Sequence, residues 1–249
     1  MFFAPRPMPR LLRDGIRGAL MALCLLHIPL QADAGDEITS ARFLGETTLY
    51  PHGVLGDKVE FTTLRIVTAR GAVDYNVAPD HVFEDLEPRL WNIDALPGPE
   101  VVVILSSVTQ GASLAVFNAD GLLARTPFIG RKNRWLAPIA AADLDGDGTA
   151  EIAYIDRPHL AKMLRVWRLS AGQLVEVASA QGLTNHRIGD AFIQSGLRDC
   201  GRGPELVTVD ADWQHIVTTR FDGTNLHSRE IAEYRGPDSI KKALVCRGT

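Results

Sequence analysis

Three times along the chain an Asp stands six residues before a Glu, and each time the Glu opens an apolar run. The pairs are Asp94 with Glu100, Asp145 with Glu151 and Asp199 with Glu205. The runs that follow are Val101-Val102-Val103-Ile104-Leu105, Ile152-Ala153-Tyr154-Ile155 and Leu206-Val207-Thr208-Val209. The Glu positions lie 51 and then 54 residues apart. A second turn signal trails each one: Gly121 and Gly172 both fall 21 residues after their Glu, and Asp222-Gly223 ends 18 after Glu205. A period near 50 residues with strand-turn-strand content marks an array of small β-sheets. One four-stranded sheet cannot bury both faces alone, so the units must pack on one another.

The second unit reads as four strands: Trp135 to Ala142, Ile152 to Ile155, Met163 to Leu169 and Leu174 to Ala178. The expected fold is therefore all-β, a β-propeller of about four four-stranded blades closed by strands from both chain ends. A single domain over 35–249 divides into a first blade part (35–82), repeats at 83–133, 134–186 and 187–236, and a closing tail at 237–249. Five blades follow if 35–82 holds more than one short sheet.

The first 34 residues have the character of an export leader. Arg6, Arg10, Arg13 and Arg17 precede an apolar run from Ala19 to about Leu30, and Ala32-Asp33-Ala34 offers a small-x-small cleavage site. The run is shorter than the roughly 20 residues that a membrane span needs. Cys24 follows Leu23, where a lipid-anchor site wants a small residue, and belongs to the discarded segment. The expected home is periplasmic or secreted. The full chain has a net charge of −4, and removal of four Arg and two Asp takes it to −6. That balance argues against a nucleic-acid partner. Cys200 and Cys246 remain, and an even pair in an exported chain is a disulfide candidate.

The middle unit carries the strongest chemical signal, Asp143-Leu144-Asp145-Gly146-Asp147-Gly148-Thr149-Ala150-Glu151. Calcium takes several hard oxygen ligands, and alternate positions of a tight loop can aim inward together. Asp143, Asp145 and Asp147 would supply positions 1, 3 and 5, the Thr149 carbonyl position 7 and Glu151 position 9. An EF-hand is excluded by Tyr154 at position 12, where a bidentate acid belongs, and by the strand-like Ile152 to Ile155. A metal-free acidic turn is the remaining rival, since Asp-Gly-Asp-Gly is good turn chemistry by itself. Four carboxylates so close repel one another without a cation, which favours a bound ion.

This loop resembles that of FG-GAP/VCBS repeats, the calcium-loop blades of integrin-alpha-like propellers and of many exported bacterial proteins. The likeness is specific over about 10 residues and weaker over roughly 150 residues of repeat spacing. It implies a structural calcium ion held between two strands of one blade. The chain departs from that pattern in three places. The flanking Phe-Gly and Gly-Ala-Pro elements are poorly kept, with Trp135 and Leu136-Ala137-Pro138 near the first of them. Leu96 replaces the third acid of the first unit, and Leu197 and Gly201 replace two acids of the third. One calcium site is therefore expected, with the other two loops held by turns, hydrogen bonds and, at Cys200, a covalent staple.

Nothing else in the chain carries a strong chemical motif. His52, His81, His159, His186, His215 and His227 show no H-E-x-x-H setting and no i, i+4 pairing, so a zinc site is not indicated. No G-x-S-x-G and no phosphate-cradling loop occurs. The basic centre (Arg131, Lys132, Arg134, Arg157, Lys162, Arg165, Arg168) reads as solvated loops at the unit rims, with an anionic ligand as the functional alternative. Trp91, Trp135, Trp167 and Trp213 read as packing residues, with sugar stacking as the alternative. The functional expectation is a monomeric, non-catalytic module that binds a protein or a glycan. A propeller-fold hydrolase or lyase with its site in a channel mouth stands as the other reading.

Overall fold

The computed structural model describes residues 37–56, 58–94 and 96–247. The expected leader over 1–34 lies outside them. Among the described residues, hydrogen-bonded strands form three separate sheets, none closed on itself. The first joins eight strands: β1 (Ile38–Thr47), β2 (Glu60–Thr68), β3 (Gly71–Asn76), β4 (His81–Phe83), β5 (Arg89–Trp91), β6 (Glu100–Ser107), β7 (Gly111–Asn118) and β8 (Gly121–Arg125). The second is a four-stranded antiparallel meander of β9 (Leu136–Ala142), β10 (Glu151–Asp156), β11 (Met163–Ser170) and β12 (Gln173–Gln181). The third holds β13 (Leu183–Thr184), β14 (Gly196–Asp199), β15 (Pro204–Asp210), β16 (His215–Phe221) and β17 (Leu226–Glu233). Helix α1 (Pro237–Leu244) follows.

The described residues are all-β apart from this helix, but they do not form a four-bladed propeller. Open sheets of eight, four and five strands fit layered packing of the β-sandwich or jelly-roll kind. The departure begins in the N-terminal segment. It does not make a blade of its own with the tail. Instead β4 bridges it to the first repeat, pairing Phe61 with Phe83 on one side and Phe83 with Leu105 on the other. Aromatic packing drives the join: Phe43 stacks on both Phe61 and Phe83, and Phe83 meets Phe117 edge-on. Such ring pairs add about 0.5–1.5 kcal/mol each beyond their buried area.

Period-2 alternation then explains why β6 reads as an unbroken apolar run. Val102 and Ile104 enter a cluster with Leu136, Ile152 and Leu164 of the second sheet and Leu206 and Phe221 of the third. Val101 and Val103 face the other way, into a cluster with Ile38, Leu64 and Phe83. Both faces are covered from Val101 to Ile104, so none of these four positions tolerates a polar residue cheaply. Each fully buried Val or Ile contributes about 1.5–3 kcal/mol.

The tail also departs from expectation. The sequence reading makes 237–249 a closing strand, but Pro237–Leu244 is helical. Pro at the helix start, Asp238 in the first turn and Lys241 and Lys242 in the last all favour a helix over a strand. Ile240 and Ala243, three apart, are buried against Val207, Val209 and Ile216. The helix therefore covers the outer face of the third sheet rather than extending a sheet edge. Cys200 and Cys246 are disulfide-bonded and tie its end to the loop after β14. Among the described residues no helix is long and apolar enough to cross a membrane. The disulfide and that absence are both compatible with an exported protein.

Candidate metal centre

The loop between β9 and β10 begins with an Asp whose carboxylate organises the backbone. Asp143 Oδ1 accepts from the Gly146 and Asp147 N–H groups at 2.7 and 3.1 Å, and Oδ2 accepts from Gly148 N–H at 2.9 Å. Asp145 Oδ1 accepts from Asp147 N–H at 3.1 Å, and Asp147 Oδ1 from Thr149 N–H at 2.8 Å. These are Asx-type turns, the local chemistry that makes Asp and Gly frequent in such loops. Glu151 then opens β10 with its side chain fully buried. Its Oε2 accepts from Leu144 N–H at 2.9 Å, closing the loop at its base.

Carboxylate oxygens of Asp143, Asp145 and Glu151 all lie within 4.8 Å of one another, a donor set that could hold a metal ion. Asp147 is not part of this convergence, and Thr149 follows it in the loop with its N–H on Asp147 Oδ1. The same space is addressed by a cation from the neighbouring strand. Arg168 Nε donates to Glu151 Oε1 at 2.6 Å, and its terminal nitrogens reach Asp145 Oδ2 and Asp147 Oδ2, each at 2.9 Å. Arg168 stands directly opposite Glu151 in the β10–β11 register. Mutual repulsion of the acids, which in sequence argued for an external ion, is thus relieved by an internal guanidinium.

Charge states follow from these contacts. Burial pushes the Glu151 carboxyl up from its ordinary value, with the Leu144 N–H and Arg168 working against it. Asp147, at the exposed tip, is held below the usual carboxylate range, chiefly by the Thr149 N–H and then by Arg168. Hard carboxylate oxygens suit calcium or magnesium rather than a soft metal. A hard cation would be held by Asp143, Asp145 and Glu151 once Arg168 moved aside.

The sister loops show what the repeat itself requires. Glu100 accepts from Ile93 N–H at 2.8 Å, seven residues before it, as Glu151 accepts from Leu144. Glu205 meets Arg198, also seven residues before it, through Nε and a terminal nitrogen at 3.0 and 2.8 Å. Burial works against ionisation of Glu205, but Arg198 and Arg229 hold its carboxyl below its ordinary value. Asp94 caps Leu96 N–H at 2.7 Å, and Asp199 Oδ1 accepts from Gly201, Arg202 and Gly203. A buried Glu bonded to the residue seven back is the common element of all three units.

Two parts of this picture were not found from sequence. Sequence alone groups Arg168 with solvated basic residues, because a cross-strand partner 17 positions away is visible only once β10 and β11 are paired. A second cluster, Asp210, His215 and Glu230, could also hold a metal ion. His215 Nδ1 lies 3.0 Å from Asp210 Oδ2 and 3.9 Å from Glu230. The Asp210 contact raises the His215 pKa above its ordinary value. Asp210 ends β15, His215 opens β16 and Glu230 lies within β17, a grouping with no sequence period.

No family model matches the chain, and no curated protein matches it.

Proposed function

We propose that the chain is an exported, non-catalytic interaction module whose middle repeat takes a structural calcium ion, with Arg168 as the counter-cation when calcium is absent. The observation that carries this reading is the convergence of Asp143, Asp145 and Glu151 oxygens at the mouth of β10. The likeness of the loop to FG-GAP/VCBS calcium loops supports the choice of ion, as does the all-oxygen donor set. The leader-like N-terminal sequence and the Cys200–Cys246 bond support export to the periplasm or beyond. The partner is a protein or a glycan, bound by the monomer, and the acidic balance disfavours nucleic acid.

The test is thermal unfolding and titration calorimetry of the wild type and Asp145→Ala, in calcium and in chelator. Calcium at about 100 times its dissociation constant adds ~2.7 kcal/mol of stability. The expected result is a calcium-dependent rise in melting temperature that Asp145→Ala abolishes. Identical melts of the wild type with and without calcium, and no heat of binding, would refute the calcium site.

A further inference from the structure

Four loops from all three sheets meet around a cavity of about 290 Å³, lined among others by His52, Arg134, Trp135, His159, Leu160 and Ile188. That volume is at the lower end of the range of small-molecule sites. The loops are tied to each other: Gly189 N–H donates to the Val54 carbonyl at 3.1 Å, and Asn133 N–H donates to the Tyr50 hydroxyl at 2.5 Å. The Trp135 indole N–H donates to the Glu84 carbonyl at 2.8 Å and holds this lining residue in place.

The two imidazoles are oriented from behind. His52 Nδ1 is 2.5 Å from Glu84 Oε1, and Ser106 donates to the other oxygen of this fully buried carboxyl at 2.5 Å. With Nδ1 engaged, His52 keeps Nε2 for the cavity. His159 belongs to a chain whose tautomers are fixed by its far end. A carbonyl only accepts, so His186 Nε2, 2.8 Å from the Asp190 carbonyl, carries hydrogen. In the neutral ring His186 Nδ1 is then an acceptor, and His159 Nε2–H donates to it at 3.0 Å. His159 Nδ1 is left with a bare lone pair. Burial, then His186 and His52, depress the His159 pKa to about 4, so the ring is neutral at ordinary pH.

Arg134 supplies charge. It donates to the Asn133 carbonyl at 2.6 Å, and among the described residues it pairs with no carboxylate. Arg157, also at this cavity, is by contrast neutralised by both oxygens of Asp156. Leu160 and Ile188 are 60% and 71% exposed and form an apolar rim. One guanidinium without a carboxylate partner, two imidazole nitrogens that bond hydroxyl groups and an apolar edge describe a specific kind of ligand.

We propose that this cavity binds a small hydroxylated carboxylate, such as a uronic acid unit, with its carboxylate on Arg134, its hydroxyls on His52 Nε2 and His159 Nδ1, and its C–H face against Leu160 and Ile188. The proposal deepens the binding-module reading by naming a ligand class, and it is independent of the calcium loop. The chemistry is shared by free hydroxy acids and by acidic sugars within a glycan.

The test is calorimetry of the full chain with glucuronate, its methyl glycoside, gluconate and glucose. Glucuronate is expected to bind, and glucose to bind at least about tenfold more weakly for want of the charged contact. Arg134→Gln and His159→Phe are each expected to weaken glucuronate about tenfold or more. Leu160→Ser changes only an exposed side chain, so it keeps the proposal testable if His159→Phe fails to fold, and a severalfold loss is expected. Equal binding of the methyl glycoside assigns the site to glycans, and its loss with gluconate retained assigns it to free hydroxy acids. No binding of any carboxylate, or binding unchanged in folded Arg134→Gln, overturns the proposal while leaving the calcium-dependent module untouched. Chemical conversion of the glycoside, followed by NMR, would support the cavity and overturn the non-catalytic reading.

Discussion

Arg168 and Glu151 face each other across β10 and β11, and the guanidinium Nε donates to a carboxylate that is fully buried. The same guanidinium reaches Asp145 and Asp147, so one side chain answers three of the loop's four acids. Arg168→Gln therefore strands a buried carboxylate. Removing one partner of a buried pair costs about 3–5 kcal/mol. Because the Arg168 side chain is 24% exposed, about half that, roughly 2 kcal/mol, is expected in chelator. Calcium is expected to stabilise Arg168→Gln more than it stabilises the wild type, since the competing cation is gone. Equal calcium shifts in differential scanning calorimetry of the two proteins would show that Arg168 and the ion do not compete.

Arg198 and Glu205 form the corresponding pair of the third unit, with side chains only 1% and 2% exposed. Arg198→Gln is expected to cost about 3 kcal/mol in urea unfolding, the lower end of the range because Arg229 still reaches Glu205 at 3.3 Å, and more than Arg168→Gln. Glu205 also predicts acid sensitivity. Its carboxyl is held below the ordinary value of 4.5, so the stability it contributes is present above that value and lost as pH falls through the lowered one.

Glu100 predicts the opposite slope. Burial raises its carboxyl above 4.5, and the Ile93 N–H only partly compensates. Among the described residues no cationic side chain pairs with it. A raised folded value means stability that is full below about 4.5 and declines as pH rises through the folded value. Glu100→Gln keeps an oxygen for Ile93 N–H and removes the charge. Its stability relative to wild type is expected to increase from about pH 5 to about pH 8, measured by urea unfolding at both.

Gly111 and Gly172 share the same φ of 74° but differ in surroundings. A Cβ on Gly111 would come within 2.3 Å of the Arg131 carbonyl oxygen and 3.0 Å of that of Arg134, whereas one on Gly172 meets nothing within 4 Å. Gly172→Ala is expected to cost about 1 kcal/mol from the left-handed conformation alone. Gly111→Ala adds a backbone clash that must displace the loop carrying Arg134, and about 2–3 kcal/mol is expected. Thermal unfolding of the two variants side by side isolates the clash.

The Cys200–Cys246 bond spans 46 positions and fastens α1 to the third sheet. A closed loop of this length is worth about 4 kcal/mol in the chain-entropy account. The double variant Cys200→Ser, Cys246→Ser is expected to melt lower than the oxidised wild type and to be insensitive to reductant. A melting temperature that reductant does not alter in the wild type would show that the bond carries little stability.

Local chemistry was legible in the sequence, and partner choice was not. The apolar runs that make β6, β10 and β15, the Asp-Gly turns and the Asp-to-Glu spacing all act within about ten residues. They appear in the structure as buried glutamates, two of them bonded to the backbone N–H seven residues back. The Asp143 to Glu151 loop was visible for the same reason. Two outcomes depended on elements far apart in the chain. Phe83 pairs with both Phe61 and Leu105, so the N-terminal segment joined the first repeat in one eight-stranded sheet and no separate blade formed. Glu151 drew its cation from the cross-strand register of β11, and His52, Arg134 and His159 came together from three different loops. A strand edge accepts any strand of suitable register, and a carboxylate accepts any cation within reach. Those contacts are therefore settled by how the sheets pack together, after the local sequence has made the strands.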